Sequence, residues 1–358
     1  MRYFLLLATS LLPILASSAR GAESAFDPYA FQQQVAICPG INRAENKTVD
    51  LHLEYVDVGN QYAERTIVFL HGWPSLWASW KYQIDEFKSD YRLIVPSIRG
   101  YGASTHPGDV QTSGSMPDLV GDLMCVLGHA GVSQAVAIGH DWGSALAYEA
   151  ARERPDVFTA VVGISVPYAA AAGPYVPISA LVPTFPHFAY QVYFGDETST
   201  AIAELSTDIR RTLRATLRTV ASPPPPDFLL SNSSYLAAWQ NVSTIPPIPF
   251  FGPGEEDYWV EQYSIQEFNY NLELYTNPNR LAAYTFANGQ GNETIPRPAL
   301  SILPEQDPVA DWVDVATLLK SASLLPKLTQ TTLPSAHWAQ LELPEQVNSL
   351  IRNFLSTF

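Results

Sequence analysis

The sequence predicts an α/β protein: a mostly parallel sheet flanked by helices, interrupted by an inserted, mainly helical cap. Three observations carry this. Short buried strands alternate with helical patterns over residues 49–166, the alternation breaks over 167–296, and it resumes over 297–358. Residues 49–55 alternate apolar and polar, with Leu51, Leu53 and Tyr55 on one face, as a half-buried strand requires. Residues 66–70 form a continuous apolar run ending at His71 and Gly72, the pattern of a strand covered on both faces. Helical spacing over 77–87 leads to a short strand at 93–96, then a helix at 116–127, a strand at 134–138, a helix at 144–152 and a strand at 159–164. Proline-rich stretches at 222–228 and 245–253 mark the insertion. Between them and the preceding strand, Ile202, Leu205, Ile209, Leu213 and Leu217 predict one amphipathic helix, with Arg210, Arg211, Arg214 and Arg218 on a solvated face. The alternation then gives a strand at 299–303, a helix at 312–319, a strand at 329–333 and a closing helix at 344–355.

The 358 residues carry 35 acidic against 20 basic side chains, a net charge of −15. That balance argues against nucleic acid and anionic membranes as partners, since both are held by lysine and arginine. With 47% hydrophobic and 15% charged residues there is ample material for a core. Residues 1–22 read as a signal peptide: Arg2, an apolar stretch shorter than the ~20 residues of a membrane span, then small residues. No further segment reaches spanning length, so export without a stable membrane span is expected. Residues 23–48 are an N-terminal arm. Sequons at Asn46, Asn232, Asn241 and Asn292 agree with a glycosylated, secreted chain. In an oxidising compartment Cys38 and Cys125 form either a disulfide tying the arm to the core or two separate buried thiols.

The chemistry-bearing residues gather at the ends of buried strands. Gly139-His140-Asp141-Trp142-Gly143 sits where a strand meets a helix, and the flanking glycines permit a tight turn that exposes the central side chain. That side chain is a carboxylate. Attack by Asp141 on an acyl carbon would give an anhydride, whereas attack on an sp³ carbon gives an ester that activated water can cleave. The motif therefore points to alkyl electrophiles such as epoxides or alkyl halides, unless Asp141 merely caps its helix. His71-Gly72-Trp73-Pro74 follows the earlier strand, and the Trp73 and Trp142 amides could form an oxyanion hole. His337, on a loop after the last strand, is the candidate base, and Asp307, after the preceding strand, the candidate acid that orients it.

Together these motifs resemble the α/β-hydrolase-fold epoxide hydrolases over residues 49–358. His-Gly-Trp-Pro at His71, Arg99-Gly100-Tyr101-Gly102 with Ser104, Gly-His-Asp-Trp-Gly at Gly139, and His337-Trp338 with Pro344 carry the resemblance. One departure is Ser97, where the family usually has an aspartate. The resemblance implies a cofactor-free and metal-free site. Asp141 is then the nucleophile, His337 the base and Asp307 its partner, with His71 and Pro74 near the substrate. A lid tyrosine in the context Tyr-x-x-x-Phe maps to Tyr190, which would donate to the epoxide oxygen, with His187 as a weaker candidate beside it. The family's second lid tyrosine is followed by arginine. Measured from Tyr275-Thr276-Asn277-Pro278, that pair falls on Asn288-Gly289, leaving Tyr284 or Asn288 as the second donor.

The expected activity is hydrolysis of a small, hydrophobic epoxide to a vicinal diol. A substrate hydroxyl replacing water would instead close a cyclic ether on a specialised metabolite. Two other readings stay open: a haloalkane dehalogenase, which shares nucleophile and base, and a catalytically silent secreted protein whose capped pocket binds an apolar ligand.

Overall fold

The computed structural model describes residues 26–358, so the signal-peptide segment lies outside the described residues. Eight strands form one sheet in the order β1-β2-β4-β3-β5-β6-β7-β8. They are β1 (Gln33–Asn42), β2 (Lys47–Gly59), β3 (Thr66–Leu70), β4 (Arg92–Pro96), β5 (Ala135–His140), β6 (Phe158–Ile164), β7 (Ala299–Pro304) and β8 (Leu328–Leu333). Strands β3 to β8 pair in parallel, while β2 is antiparallel to both of its neighbours. The central strands β5 and β7 are buried at every position, which is why they read as continuous apolar runs. Helices α1 (Lys81–Phe87), α2 (Met116–His129) and α3 (Trp142–Glu153) connect the first part.

Between β6 and β7 the chain leaves the sheet to build the cap from α4 (Ala189–Asp196), α5 (Thr198–Thr207), α6 (Ile209–Thr216), α7 (Glu255–Gln266) and α8 (Asn277–Gln290). It returns through α9 (Trp312–Leu318), α10 (Ser321–Leu324), α11 (Ala339–Glu342) and α12 (Pro344–Leu355). The single helix expected around residues 202–217 is two. Asp208 adopts an extended conformation, and its side chain accepts from the Arg211 amide, ending α5 and capping α6. The solvated arginine face is also corrected. Arg210 and Arg214 pair with Glu256, while Arg211 donates to the carbonyls of Trp239 and Val242. Arg218 is buried against the Ser222, Pro246 and Pro247 carbonyls. These guanidiniums supply the donors that two proline-rich stretches lack.

The arm contains β1, which sequence periodicity hides. Its inward positions are the small residues Ala36, Cys38 and Gly40, while Val35, Ile37 and Ile41 face outward. Cys38 and Cys125 are joined by a disulfide across 87 residues of sequence, fastening β1 to α2. Replacing both cysteines with serine is expected to cost about 2–4 kcal/mol, because the unfolded chain regains the entropy of a long loop. The urea midpoint would fall accordingly, and the β1 amides would lose hydrogen-exchange protection first.

Candidate active site

The turn after β5 forces Asp141 into an unusual backbone conformation, φ 56° and ψ −123°. Only glycine fits at the flanking positions, since a Cβ on Gly139 would strike the Gly143 carbonyl and one on Gly143 the Leu70 carbonyl. Strain of this kind, held by the surrounding sheet, presents the Asp141 carboxylate at the head of α3. The Trp73 amide donates to Asp141 Oδ1 at 2.9 Å, and the Trp142 amide also bonds the carboxylate. Gly72 packs directly against Asp141, so no side chain is tolerated there either. Burial pushes the Asp141 pKa up, while His337 and the two amides act in the opposite direction.

His337 lies opposite. Its Nε2 is 3.6 Å from Asp141 Oδ2, and its Nδ1 is 2.6 Å from Asp307 Oδ2. Asp307 is held by three further donors: Trp312 Nε1 at 2.6 Å, the Val309 amide at 2.8 Å and Ser165 Oγ at 3.0 Å. Burial alone would raise Asp307, but the charge and hydrogen bond of His337, with those from Trp312 and Val309, hold it below the ordinary carboxylate value. For His337 burial acts downward and is outweighed by Asp307, then Asp141, so its pKa is raised. An ionised Asp307 fixes the proton on Nδ1 and leaves Nε2 to accept one. The loop itself is anchored from both sides. His140 Nε2 donates to the His337 carbonyl at 2.9 Å, and Glu342 accepts from the Ala336 amide at 2.8 Å.

A narrow cavity opens over Asp141 and His337. Tyr190 lines it from α4, with Trp73, Phe228, Leu229, Tyr235 and Trp338 among the other walls. The second phenol is Tyr275, which ends the turn before α8. Its ring is buried 6.0 Å from Tyr190, 5.3 Å from Trp142 and 5.6 Å from Trp73, centroid to centroid. Burial, with the nearby Asp141 charge, raises the Tyr190 phenol well above its ordinary value, so it stays protonated and able to donate. Tyr275 is raised well above the ordinary value in the same way, by burial and then by Tyr190 and Asp141.

Tyr284 and Asn288 are therefore corrected as lid donors. On α8 they turn away from the cavity, Tyr284 donating to the Gly173 carbonyl and Asn288 to that of Ala171. A helical turn carries a side chain around the axis as well as along it, and on α8 it is Arg280, near the N-terminal end, that lies against Trp142. His187 sits half-buried on the turn before α4 and does not line the cavity. His71 lies beneath the site, donating from Nδ1 to the Gly72 carbonyl and accepting the Ile98 amide at Nε2. It supports the Trp73 loop and does not line the cavity. Pro74, joined to Trp73 by a cis peptide, has the same place.

Burial lowers the His71 pKa to about 4 and that of His106 to about 3. Below about pH 6.5 the unfolded chain takes up protons at these histidines and the folded chain does not, so stability falls with pH until the folded values are reached. For His71 the expected slope is about 1.4 kcal/mol per pH unit between pH 6.5 and 4. Urea midpoints across that window check it, and His71→Asn should flatten the curve.

The sequence pattern of the alpha/beta hydrolase fold matches residues 65–344. Bifunctional epoxide hydrolase 2 of Sus scrofa is 29% identical over 338 residues, covering 92% of this chain, which in turn spans 56% of that protein. Epoxide hydrolase B of Mycobacterium tuberculosis is 29% identical over 329 residues, covering 81% of this chain and 90% of its own. Among solved structures, Epoxide Hydrolase A from Mycobacterium thermoresistibile superposes with a TM-score of 0.74 at 25% identity, over 91% of this chain and 99% of that one. An epoxide hydrolase from an endophytic Streptomyces gives a TM-score of 0.75 at 25% identity, over 91% and 95% of the two chains. The elbow at Asp141, the sheet order and the inserted cap thus have their counterpart in a known architecture, and the chain belongs to the α/β-hydrolase fold family.

Proposed function

We propose that the protein hydrolyses a small apolar epoxide to a vicinal diol. One observation carries the reading: a carboxylate nucleophile shares its cavity with the Tyr190 phenol, which the buried Tyr275 phenol adjoins, and a His337–Asp307 pair stands beside it. With Oδ1 pinned by the Trp73 amide, Oδ2 attacks a ring carbon in line. The ring C–O bond breaks, and a phenol gives its proton to the departing alkoxide. The product of this step is an alkyl ester on Asp141. His337 Nε2 then takes a proton from water, whose oxygen attacks the Asp141 carboxyl carbon while the Trp73 and Trp142 amides stabilise the oxyanion. Collapse of that intermediate breaks the carboxyl C–Oδ2 bond; the leaving alkoxide takes the proton held by His337 and departs as the diol, and the second proton of the attacking water, left on the Asp141 carboxyl, passes to the phenolate directly or through solvent.

One feature weighs against a dehalogenase. A halide needs N–H donors, but Trp73 Nε1 is donated to Asn271 Oδ1 at 3.1 Å and the Trp142 indole bonds the Tyr275 phenol. The aromatic walls suit an apolar substrate of either kind. Incubation with a panel of alkyl and aryl epoxides and of haloalkanes tests the reading. Diol from the epoxides is expected; halide release without diol would transfer the chain to the dehalogenases, and binding without turnover would make it a silent pocket.

Export belongs to the same proposal. Asn46, Asn232, Asn241 and Asn292 are all exposed, and among the described residues no helix is long and apolar enough to cross a membrane. Expression in a eukaryotic secretory host should give protein in the medium whose mass falls on treatment with an N-glycosidase. Retention in the cytosol without glycan would contradict it.

A further inference from the structure

Arg280 lies on the first turn of α8, and among the described residues no carboxylate pairs with it. Its Nε donates to the Leu274 carbonyl at 3.1 Å and its Nη2 to Gln191 Oε1 at 2.7 Å. The guanidinium lies 5.5 Å over the Trp142 ring and 5.7 Å over that of Tyr275. Elsewhere in the cap the arginines of α6, and Arg218 just beyond it, either pair with Glu256 or spend their donors on several backbone carbonyls. A half-buried cation without a counter-ion is costly, and a fold that keeps one places it where negative charge arrives.

The direction of the hydrogen bonds says what the cation does. A guanidinium can only donate, so the Gln191 amide must turn its oxygen to Arg280. Its Nε2 then faces the Tyr190 hydroxyl at 3.2 Å and donates to it. The Tyr275 phenol also bonds the Tyr190 hydroxyl; with its oxygen engaged by Gln191 and Tyr275, the Tyr190 O–H is left to point elsewhere, and the cavity over Asp141 lies beside it. Without Arg280 the amide is free to flip, accept the phenol proton and aim it away from the substrate.

We infer that Arg280 is a positioning residue for ring opening: through Gln191 it turns the Tyr190 hydroxyl toward the epoxide oxygen, and it places positive charge behind the phenol as the alkoxide forms. The inference rests on the epoxide reading above. Its effect belongs to ester formation and has no part in the hydrolysis that His337 drives.

The test uses the full chain in a His337→Gln background, where the ester is expected to accumulate, with styrene oxide as probe and rapid-quench intact mass as readout. Arg280→Met and Gln191→Leu should each slow ester formation at least tenfold; the glutamine variant leaves the guanidinium in place and guards against a folding defect in the other. In a Tyr190→Phe background, where the hydroxyl is already gone, Arg280→Met should cost less than threefold more. Equal losses with and without Tyr190, as a mere packing role would give, overturn the inference, and so does an unchanged rate in Arg280→Met. Absence of any ester with Arg280, Gln191 and Tyr190 all present overturns the epoxide reading itself, and this inference with it.

Discussion

Replacing Asp141 with alanine is expected to lower kcat on an epoxide by on the order of 10⁴-fold or more while leaving the fold intact. In the proposed mechanism the carboxylate forms the covalent bond, so nothing else in the cavity can substitute for it, and what remains is the residual catalysis of binding and oriented dipoles. Stability should hold or rise. Asp141 is buried at a positive φ, and its replacement relieves the cost of holding a carboxylate away from water. The combination of a dead enzyme with an unchanged or higher urea midpoint is the signature sought. A loss below about tenfold would mean that water, with His337 as base, attacks the epoxide directly.

The second large effect comes from the phenols. Tyr190→Phe and Tyr275→Phe each remove one donor to the forming alkoxide while keeping the aromatic ring, and each is expected to lower kcat by about 10- to 100-fold. Together they should exceed about 10³-fold, since the alkoxide is then expelled with no proton donor at all. Because phenols act only on ring opening, the pH dependence that reports His337 should persist in the single variants. Replacing Tyr284 with phenylalanine, by contrast, should change the rate less than twofold, given that its hydroxyl serves the Gly173 carbonyl. If Tyr284→Phe proved as damaging as Tyr275→Phe, the lid would close in a different arrangement from the one described.

The contrast between these tyrosines shows what sequence could and could not carry. The buried strands declare themselves, because a parallel strand covered on both faces must be apolar throughout, and residues 66–70 and 135–138 leave no other reading. Asp141, Asp307 and His337 each sit just past a strand end, and the resemblance of their motifs to the epoxide hydrolases singles them out as candidates. The cap has no such frame. Tyr275 is itself part of the segment used to count forward to Tyr284 and Asn288, so a spacing rule steps over the residue that reaches the site. Arg280 and Gln191 leave no sequence signal at all: their roles exist only once α4 and α8 lie side by side. Strand β1 is lost for a different reason. Its inward face is built from alanine, cysteine and glycine, so the larger apolar residues face solvent and the alternation points the wrong way.

The covalent intermediate is the claim on which everything else depends. In the His337→Gln variant the ester should form on Asp141 but have no base to activate water, so incubation with styrene oxide followed by intact-mass measurement should show one adduct equal to the whole epoxide, mapped by proteolysis to the peptide containing Asp141. An unmodified protein that still turns over to diol, or an adduct on any other residue, would contradict the account.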